Sequence, residues 1–409
     1  MSQQQTFVIV GANACGGTAA AALREEGFDG RVILIGDERH PPYERPPLSK
    51  EYLRGEQPLD KGYLRPADWY EEQNIETRFG TRAERLDPQN RQVILEGGEA
   101  IDYDAVLIAT GVRNRRLGVP GSELSGILEL RKPLDADSIR RWADKSLRVV
   151  LVGMGFIGAE VASSLRQMRK DVTVVELYET ALYRVLGRDI GKVIEEVHRD
   201  HGARMVFNDT VEEFRGHESV EEVVTKEGQR IPADFVVVGI GTVPNTDIVE
   251  GTGVEVDNGI LVDATLRTNA PGVFAAGDVA NHQHPVFGRV RVEHFDNAIK
   301  MGPVAARNMM GAQEDFDDPH WFWSDQYDSQ IQMGGIASSW DEIVFRGKPQ
   351  DRSFAAFYIL NEAIIASFSL DWKRDVRRSL PLIAKRTLID RAELRNPEYD
   401  LRKMAEGGQ

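Results

Sequence analysis

Cysteine is almost missing from this sequence. Cys15 is the only one in 409 residues, so no disulfide can close within the chain and electrons cannot pass through a redox-active cysteine pair. Long hydrophobic runs are also missing: no apolar stretch approaches the roughly 18 residues that suggest a membrane span. Positive charge is in deficit, with 50 Lys and Arg against 65 Asp and Glu, a formal net charge of -15. General nucleic-acid binding is therefore excluded, because it needs a positive surface to displace counterions from phosphates. The opening MSQQQTFVIV has no basic region ahead of its apolar residues, so it is not a signal peptide and a cytoplasmic protein is expected. No metal site is expected.

What is present is an ordinary globular composition, 41% hydrophobic and 28% charged, in a chain long enough for two or three domains. The central stretch from Arg148 to Leu177 reads as strand, tight turn, helix, strand. Gly153 makes the turn, Gly155 lets backbone approach a pyrophosphate, and Gly158 lets helix pack on strand, with Phe156 and Ile157 between them. The helix start then holds the phosphates. Glu176 ends the second strand, where a carboxylate binds a ribose 2'-hydroxyl. The N-terminus has a similar layout, with Gly11, Asn13 and Gly16 in the turn and Asp37 after the second strand. Asn13 replaces the middle glycine, a change accommodated by the tolerance of Asn for unusual backbone angles. Two such units imply two bound dinucleotides.

Each unit closes with a buried apolar strand and a small-residue turn, at Ala109-Thr110-Gly111 and at Gly241. Strands at 259–263 and 272–278 are expected to complete the first sheet, so the chain returns to its first domain after about Pro244. A helix is expected over 297–310, ended or kinked at Pro303, another over 189–201, and a third over 374–391. From Trp321 the pattern changes to strands and then helix, a third, α+β domain. After Asp37 comes a proline-dense loop running into a helix-like segment at Leu48; prolines this close together fix an extended backbone, which suits a loop that holds Lys50 against something, and a solvated helix-start lysine is the plain alternative.

The motifs GANACGG, RPPLSK (Arg45 to Lys50), LIATG (Leu107 to Gly111), GMGFIGAE (Gly153 to Glu160), AAGDVA and WFWSDQY (Trp321 to Tyr327) together resemble the FAD-dependent NAD(P)H ferredoxin reductases of aromatic-ring dioxygenase and bacterial P450 systems, of the putidaredoxin reductase type. The similarity covers nearly the whole chain. It implies an α/β, glutathione-reductase-like fold with two Rossmann-type dinucleotide-binding domains and a C-terminal α+β domain. The FAD-binding domain would be 1–113 with 244–320, the NAD-binding domain 114–243, and the interface domain 321–409. The resemblance also places Cys15 in the FAD loop, Asp37 on the adenosine ribose, Lys50 beside the flavin, Ala83 and Arg131 on FAD, and Asp278 on the ribityl chain. Glu160 would sit near the nicotinamide and pair with Lys50, and Trp323 would lie near the isoalloxazine. The stretch with Glu293, His294 and Phe295 is similar to one in apoptosis-inducing-factor-like flavoproteins, where His294 would face the flavin. A solvated helix face for Glu160, core packing for Trp323 and a structural hydrogen bond for His294 are the plainer readings.

These assignments imply that NADH passes a hydride to FAD and that FAD delivers single electrons to a [2Fe-2S] ferredoxin. Like charge between Glu176 and a 2'-phosphate at about 4 Å costs about 4 kcal/mol at an effective dielectric of about 20, which favours NADH over NADPH. Lys373, Arg374, Arg377 and Arg378 form a basic cluster on an acidic chain, where an acidic ferredoxin would be steered; a solvated helix face is the alternative. Reduction of rubredoxin, NADH oxidation, and an NADH-sensing role through association are the competing functions.

Overall fold

A computed structural model describes residues 4–407. The chain forms two compact units. One comprises the chain up to Glu44, Leu59–Arg113 and Val243–Asp318; the other comprises Arg45–Pro58, Asn114–Thr242 and the chain from Pro319.

The first unit is built on five parallel strands in the order Val273–Ala275, Ala105–Ile108, Thr6–Val10, Arg31–Gly36 and Ile75–Phe79. The central strands are apolar without alternation because both faces of a parallel sheet are covered; all four residues of Ala105–Ile108 are buried. The helix Ala14–Glu25 follows the first strand. Its alanines favour the helix, and their small size lets a second helix, Phe295–Met309, approach closely. A Cβ on Gly302 of that second helix would stand 2.3 Å from Thr18 Oγ1. This helix spans Pro303 rather than ending there. Proline forfeits one backbone hydrogen bond, and the burial of Ala298, Met301, Val304 and Ala305 in the core holds the element together.

Only one of the two strands expected to complete this sheet does so. Val273–Ala275 pairs with Ala105–Ile108, whereas Ile260–Val262 pairs with Ala280–His284 in a separate three-stranded sheet. Both strands are three residues long, too short for their patterns to tell which of them joins this sheet.

The second unit repeats the layout with Arg204–Phe207, Asp171–Glu176, Arg148–Val152, Phe235–Val238 and Ile127–Leu128, all parallel. Its helix Phe156–Gln167 follows Arg148–Val152. The helix expected over 189–201 begins earlier, at Tyr183, and breaks at Gly187, where φ is 73°. A five-stranded antiparallel sheet contains Trp321–Gln326, Ser329–Gly335, Ala363–Leu370, Ser353–Leu360 and Glu342–Lys348. Helix Lys373–Lys385 packs on it, with Ser379 bonded to Ser367 at 2.8 Å. The expected continuation to residue 391 fails because Arg386 adopts a left-handed φ of 51°; a separate helix, Arg391–Arg395, follows. Among the described residues no helix is long and apolar enough to cross a membrane.

His198 and His282 are buried, and desolvation lowers each imidazole pKa to about 4 from the usual 6.5. As pH falls through that window the unfolded chain binds protons that the folded protein does not, so stability is lost toward acid. Thermal melts should show Tm falling between pH 6.5 and 4; a constant Tm across that range would contradict the assignment.

Candidate functional site

The two glycine loops differ in how they treat the helix that follows. In the first, Gly11 has φ +121°, and a Cβ there would stand 2.1 Å from the Ala109 carbonyl oxygen. A Cβ at Gly16 would lie 1.9 Å from the Gly11 carbonyl oxygen. Asn13 does not use the unusual backbone angles expected of it: φ -115° and ψ -166° are extended. Its side chain carries the role instead. Oδ1 accepts from the N–H groups of Cys15 (3.1 Å) and Gly16 (3.3 Å), and Nδ2 donates to the Ala109 carbonyl, so Asn13 caps the helix.

The second loop leaves that position open. Gly153 has φ +100°, with its would-be Cβ 2.4 Å from the Gly239 carbonyl oxygen, and Gly158 has its own 2.3 Å from the Gly153 carbonyl oxygen. Gly155 occupies the cap position without a side-chain bond, and nothing lies within 4 Å of where its Cβ would be. Helix N–H groups facing open space are a seat for phosphate. Glu176 closes the loop's edge, accepting from Met154 N–H at 2.5 Å and Tyr178 N–H at 2.9 Å. Phe156 packs edge-on against Phe322, ring centroids 4.8 Å apart, Ile157 is exposed, and Gly241 takes φ +98° in the closing turn.

The remaining first-unit candidates stand around the sheet's ends. Cys15 is buried, and desolvation, with Asp278 adding to it, raises its thiol far above the usual value, so it packs rather than reacts. Asp278 follows Gly277, whose φ is +74°, and its carbonyl accepts from Arg291 at 3.1 Å. Arg291 also pairs with Glu293 at 2.7 Å. His294 precedes helix Phe295–Met309, and burial lowers its imidazole to about 4; Phe295 packs on the core. Thr110 and Asn245 bond reciprocally at 2.7 and 2.9 Å, beside Gly111 with φ +66°. Asp37 is exposed after strand Arg31–Gly36, and Ala83 opens strand Ala83–Asp87. Arg131 belongs to the second unit, where its carbonyl accepts from Arg45 at 2.7 Å.

Within the second unit, Lys50 and Glu160 meet. The Lys50 ammonium lies 3.5 Å from Glu160 Oε1 and 3.5 Å from Asp325 Oδ2, and Lys50 and Glu160 are both buried. Glu160 also accepts from Ser49 Oγ at 2.5 Å and Ser324 Oγ at 2.7 Å. Burial pushes the Glu160 carboxyl up, and Lys50, Ser49 and Ser324 oppose that shift while Asp325 adds to it. The Pro46–Ser49 turn delivers Ser49 and Lys50, the Phe156–Gln167 helix delivers Glu160, and the Trp321–Gln326 strand delivers Ser324 and Asp325. Trp323 faces Lys50, its centroid 5.7 Å from Nζ, and stacks on Trp321 at 5.4 Å. Ser49, Ser324 and Asp325 were missed as site residues although each lies inside a motif quoted for the resemblance.

The basic cluster is only partly available. Arg378 pairs with Asp400 at 3.5 Å, Arg377 lies 4.5 Å over the Trp321 ring, and Arg374 is exposed. The side chain of Lys373 lies outside the described residues. Among the described residues no group of three or more His, Cys, Asp or Glu could hold a metal ion.

Two loops of this design, each at the end of a parallel sheet, define a protein of the two-dinucleotide class. The chain belongs to the pyridine nucleotide-disulphide oxidoreductase family, whose model matches residues 5–302; a reductase C-terminal domain matches residues 321–405. It is 35% identical to rhodocoxin reductase of Rhodococcus erythropolis over 97% of this chain and 93% of that one. Among solved structures, the ferredoxin reductase for the CYP199A2 system of Rhodopseudomonas palustris superposes with TM-score 0.95 at 34% identity, covering 98% of this chain and all of that one. The reductase in the covalent putidaredoxin reductase–putidaredoxin complex does so with TM-score 0.95 at 32% identity, covering 99% of each chain. The cofactors are FAD and NAD(P)H, and both loops fit a dinucleotide: each has a positive-φ glycine under a closing turn and a helix start beyond it.

Gly158→Ala should drive Cβ into the Gly153 carbonyl and weaken NAD binding at least about tenfold, roughly 1.4 kcal/mol, with FAD content unchanged. Titration of the oxidised holoenzyme with NAD+ checks this, and unaltered affinity would contradict the loop assignment.

Proposed function

We propose that this chain is an NADH-dependent reductase of a [2Fe-2S] ferredoxin that feeds an oxygenase. The observation that carries the reading is the buried Lys50 ammonium, fixed by Glu160 and Asp325 and flanked by Trp323, in a chain with one cysteine. FAD, when bound, accepts electrons in pairs from a reduced nicotinamide and releases them singly. The protein supplies position and charge. Lys50 is read as the fixed positive group that favours the reduced flavin, and Glu160 and Asp325 restrain it. The similarity to ferredoxin reductases along nearly the whole chain supports this reading.

Glu176 supports NADH as donor. Backbone N–H groups already hold its carboxylate, so the negative charge is anchored where a 2'-phosphate would come. Arg374 and Arg377 are the cations read as the ferredoxin contact, since Arg378 is engaged with Asp400. The three-domain division, with FAD bound by 1–113 and 244–320, NAD by 114–243, and the interface formed by 321–409, is part of the same proposal. We place the reaction in the cytoplasm, where a lone thiol such as Cys15 stays reduced.

The test is NADH-driven cytochrome c reduction with and without a small [2Fe-2S] ferredoxin. A large stimulation by ferredoxin is expected, with NADH preferred over NADPH and the salt dependence flattened by Arg374→Glu with Arg377→Glu. A rate indifferent to ferredoxin would overturn the proposal.

A further inference from the structure

The Lys50–Glu160 pair is the inner end of a longer hydrogen-bonded chain within the second unit. Ser324 Oγ, which donates to Glu160 Oε1 at 2.7 Å, accepts from Gln326 Nε2 at 3.2 Å. Gln326 Oε1 is 2.9 Å from His198 Nε2, and Tyr327 Oη is 3.1 Å from His198 Nδ1. The ring of Tyr327 stacks on His201 at 3.7 Å, and the Tyr327 N–H donates to Ser163 Oγ at 2.5 Å. Ser324, Gln326 and His198 are at most 1% exposed, so water does not compete for these bonds.

With Glu160 ionised and Gln326 Nε2 toward Ser324, one direction of this chain satisfies every member; the reverse direction needs a protonated Glu160. Gln326 Oε1 faces His198 Nε2, so the neutral imidazole carries its hydrogen on Nε2 and donates to Gln326, which leaves Nδ1 to accept from the Tyr327 hydroxyl. The Gln326 amide then presents Nε2 to Ser324. That donor takes one of the two acceptor sites of Ser324, whose own hydrogen is directed to Glu160. Reversing Gln326 would turn its oxygen toward Ser324 and draw that hydrogen away from the carboxylate. Ser49 on the other carboxylate oxygen is under no such constraint: its hydroxyl also lies 3.2 Å from the Pro46 carbonyl, so it can donate there and accept from a protonated Glu160. The two serines therefore differ. Ser49 suits either protonation state, and Ser324 is committed to the carboxylate.

We propose that His198 is a positioning residue for Glu160: acting through Gln326, it commits the Ser324 hydroxyl as a donor to the carboxylate that faces Lys50. What the carboxylate then does for electron transfer rests on the reductase reading above; the commitment of the hydrogen bond does not. The charged and titratable groups facing Glu160 are Lys50 and Asp325, and the group facing His198 from its own helix end is His201. Burial already raises the Glu160 carboxyl, so losing a committed donor raises it further.

The test is an infrared titration of the oxidised, FAD-loaded protein without turnover. The carbonyl stretch of protonated Glu160 is identified by its loss in Glu160→Gln. Ser324→Ala should raise the midpoint of that band by about one pH unit, the size expected for a hydrogen bond to a charged group. Gln326→Leu and His198→Phe should each give at least about half of that shift. Tyr327→Phe removes one oxygen and repeats the test at the outer end if His198→Phe does not fold, with a smaller upward shift expected. Midpoints of Gln326→Leu and of His198→Phe or Tyr327→Phe at the wild-type value would overturn the proposal, as would an unmoved midpoint in Ser324→Ala. Because the band is read without NADH or ferredoxin, failure of the reductase reading would appear separately, in the turnover assay.

Discussion

The second unit depends on a buried ion pair that cannot be left half made. Taking the Lys50 ammonium and the Glu160 carboxylate out of water is costly, and their attraction offsets that cost only when the remaining hydrogen-bonding capacity is satisfied. Here it is satisfied by Ser49 and Ser324 on the carboxylate and by Asp325 on the ammonium. These groups come from a proline-restrained turn, a helix of the parallel-sheet domain and a strand of the antiparallel sheet. The ion pair thus fixes the mutual placement of three segments distant in sequence. Arg346 and Asp375 form a second buried pair, at 3.2 Å; Arg346 also donates to the carbonyls of Glu393, Leu394 and Tyr399. That pair ties the C-terminal segment to the sheet and stands apart from the Lys50 cluster.

The duplicated parallel sheets show how one architecture is adapted twice. Both place a positive-φ glycine under the closing turn, at Gly11 and Gly153, because a Cβ there would strike backbone. They part at the helix cap. Asn13 spends its side chain on two helix N–H groups, and Gly155 leaves its helix start bare. The bare start suits the nucleotide that, on the proposed reading, exchanges with each turnover, and the Asn13 cap fixes the start of its own helix.

Much of this was legible in the sequence because its signals are local. Glycines before a helix, uninterrupted apolar strands and an acid at the second strand's end reveal the parallel units, since each follows from backbone geometry or two-sided burial. Lys50, Glu160 and Trp323 were legible only through the RPPLSK, GMGFIGAE and WFWSDQY motifs, because no periodicity reports that a lysine at position 50 meets a glutamate at 160. His198 left no signal at all, and Gln326 only its place inside WFWSDQY: a neutral polar residue on a buried helix or strand face looks like any other until its partners are known. Asn13 was placed correctly in the loop and explained by backbone tolerance, whereas its contribution is a side-chain cap. Pro303 misled because the packing of its helix outweighs one lost hydrogen bond, and nothing in the three residues of Ile260–Val262 distinguished it from the equally short Val273–Ala275, which alone joined the parallel sheet.

Lys50 is proposed to provide fixed positive charge that favours the reduced cofactor. The most direct test is the midpoint potential of FAD in the purified holoenzyme, compared between wild type and Lys50→Met. Loss of the ammonium should make the potential more negative, and the variant should therefore be reduced less completely by NADH at equilibrium. An unchanged potential in a folded, fully flavinated variant would contradict the account.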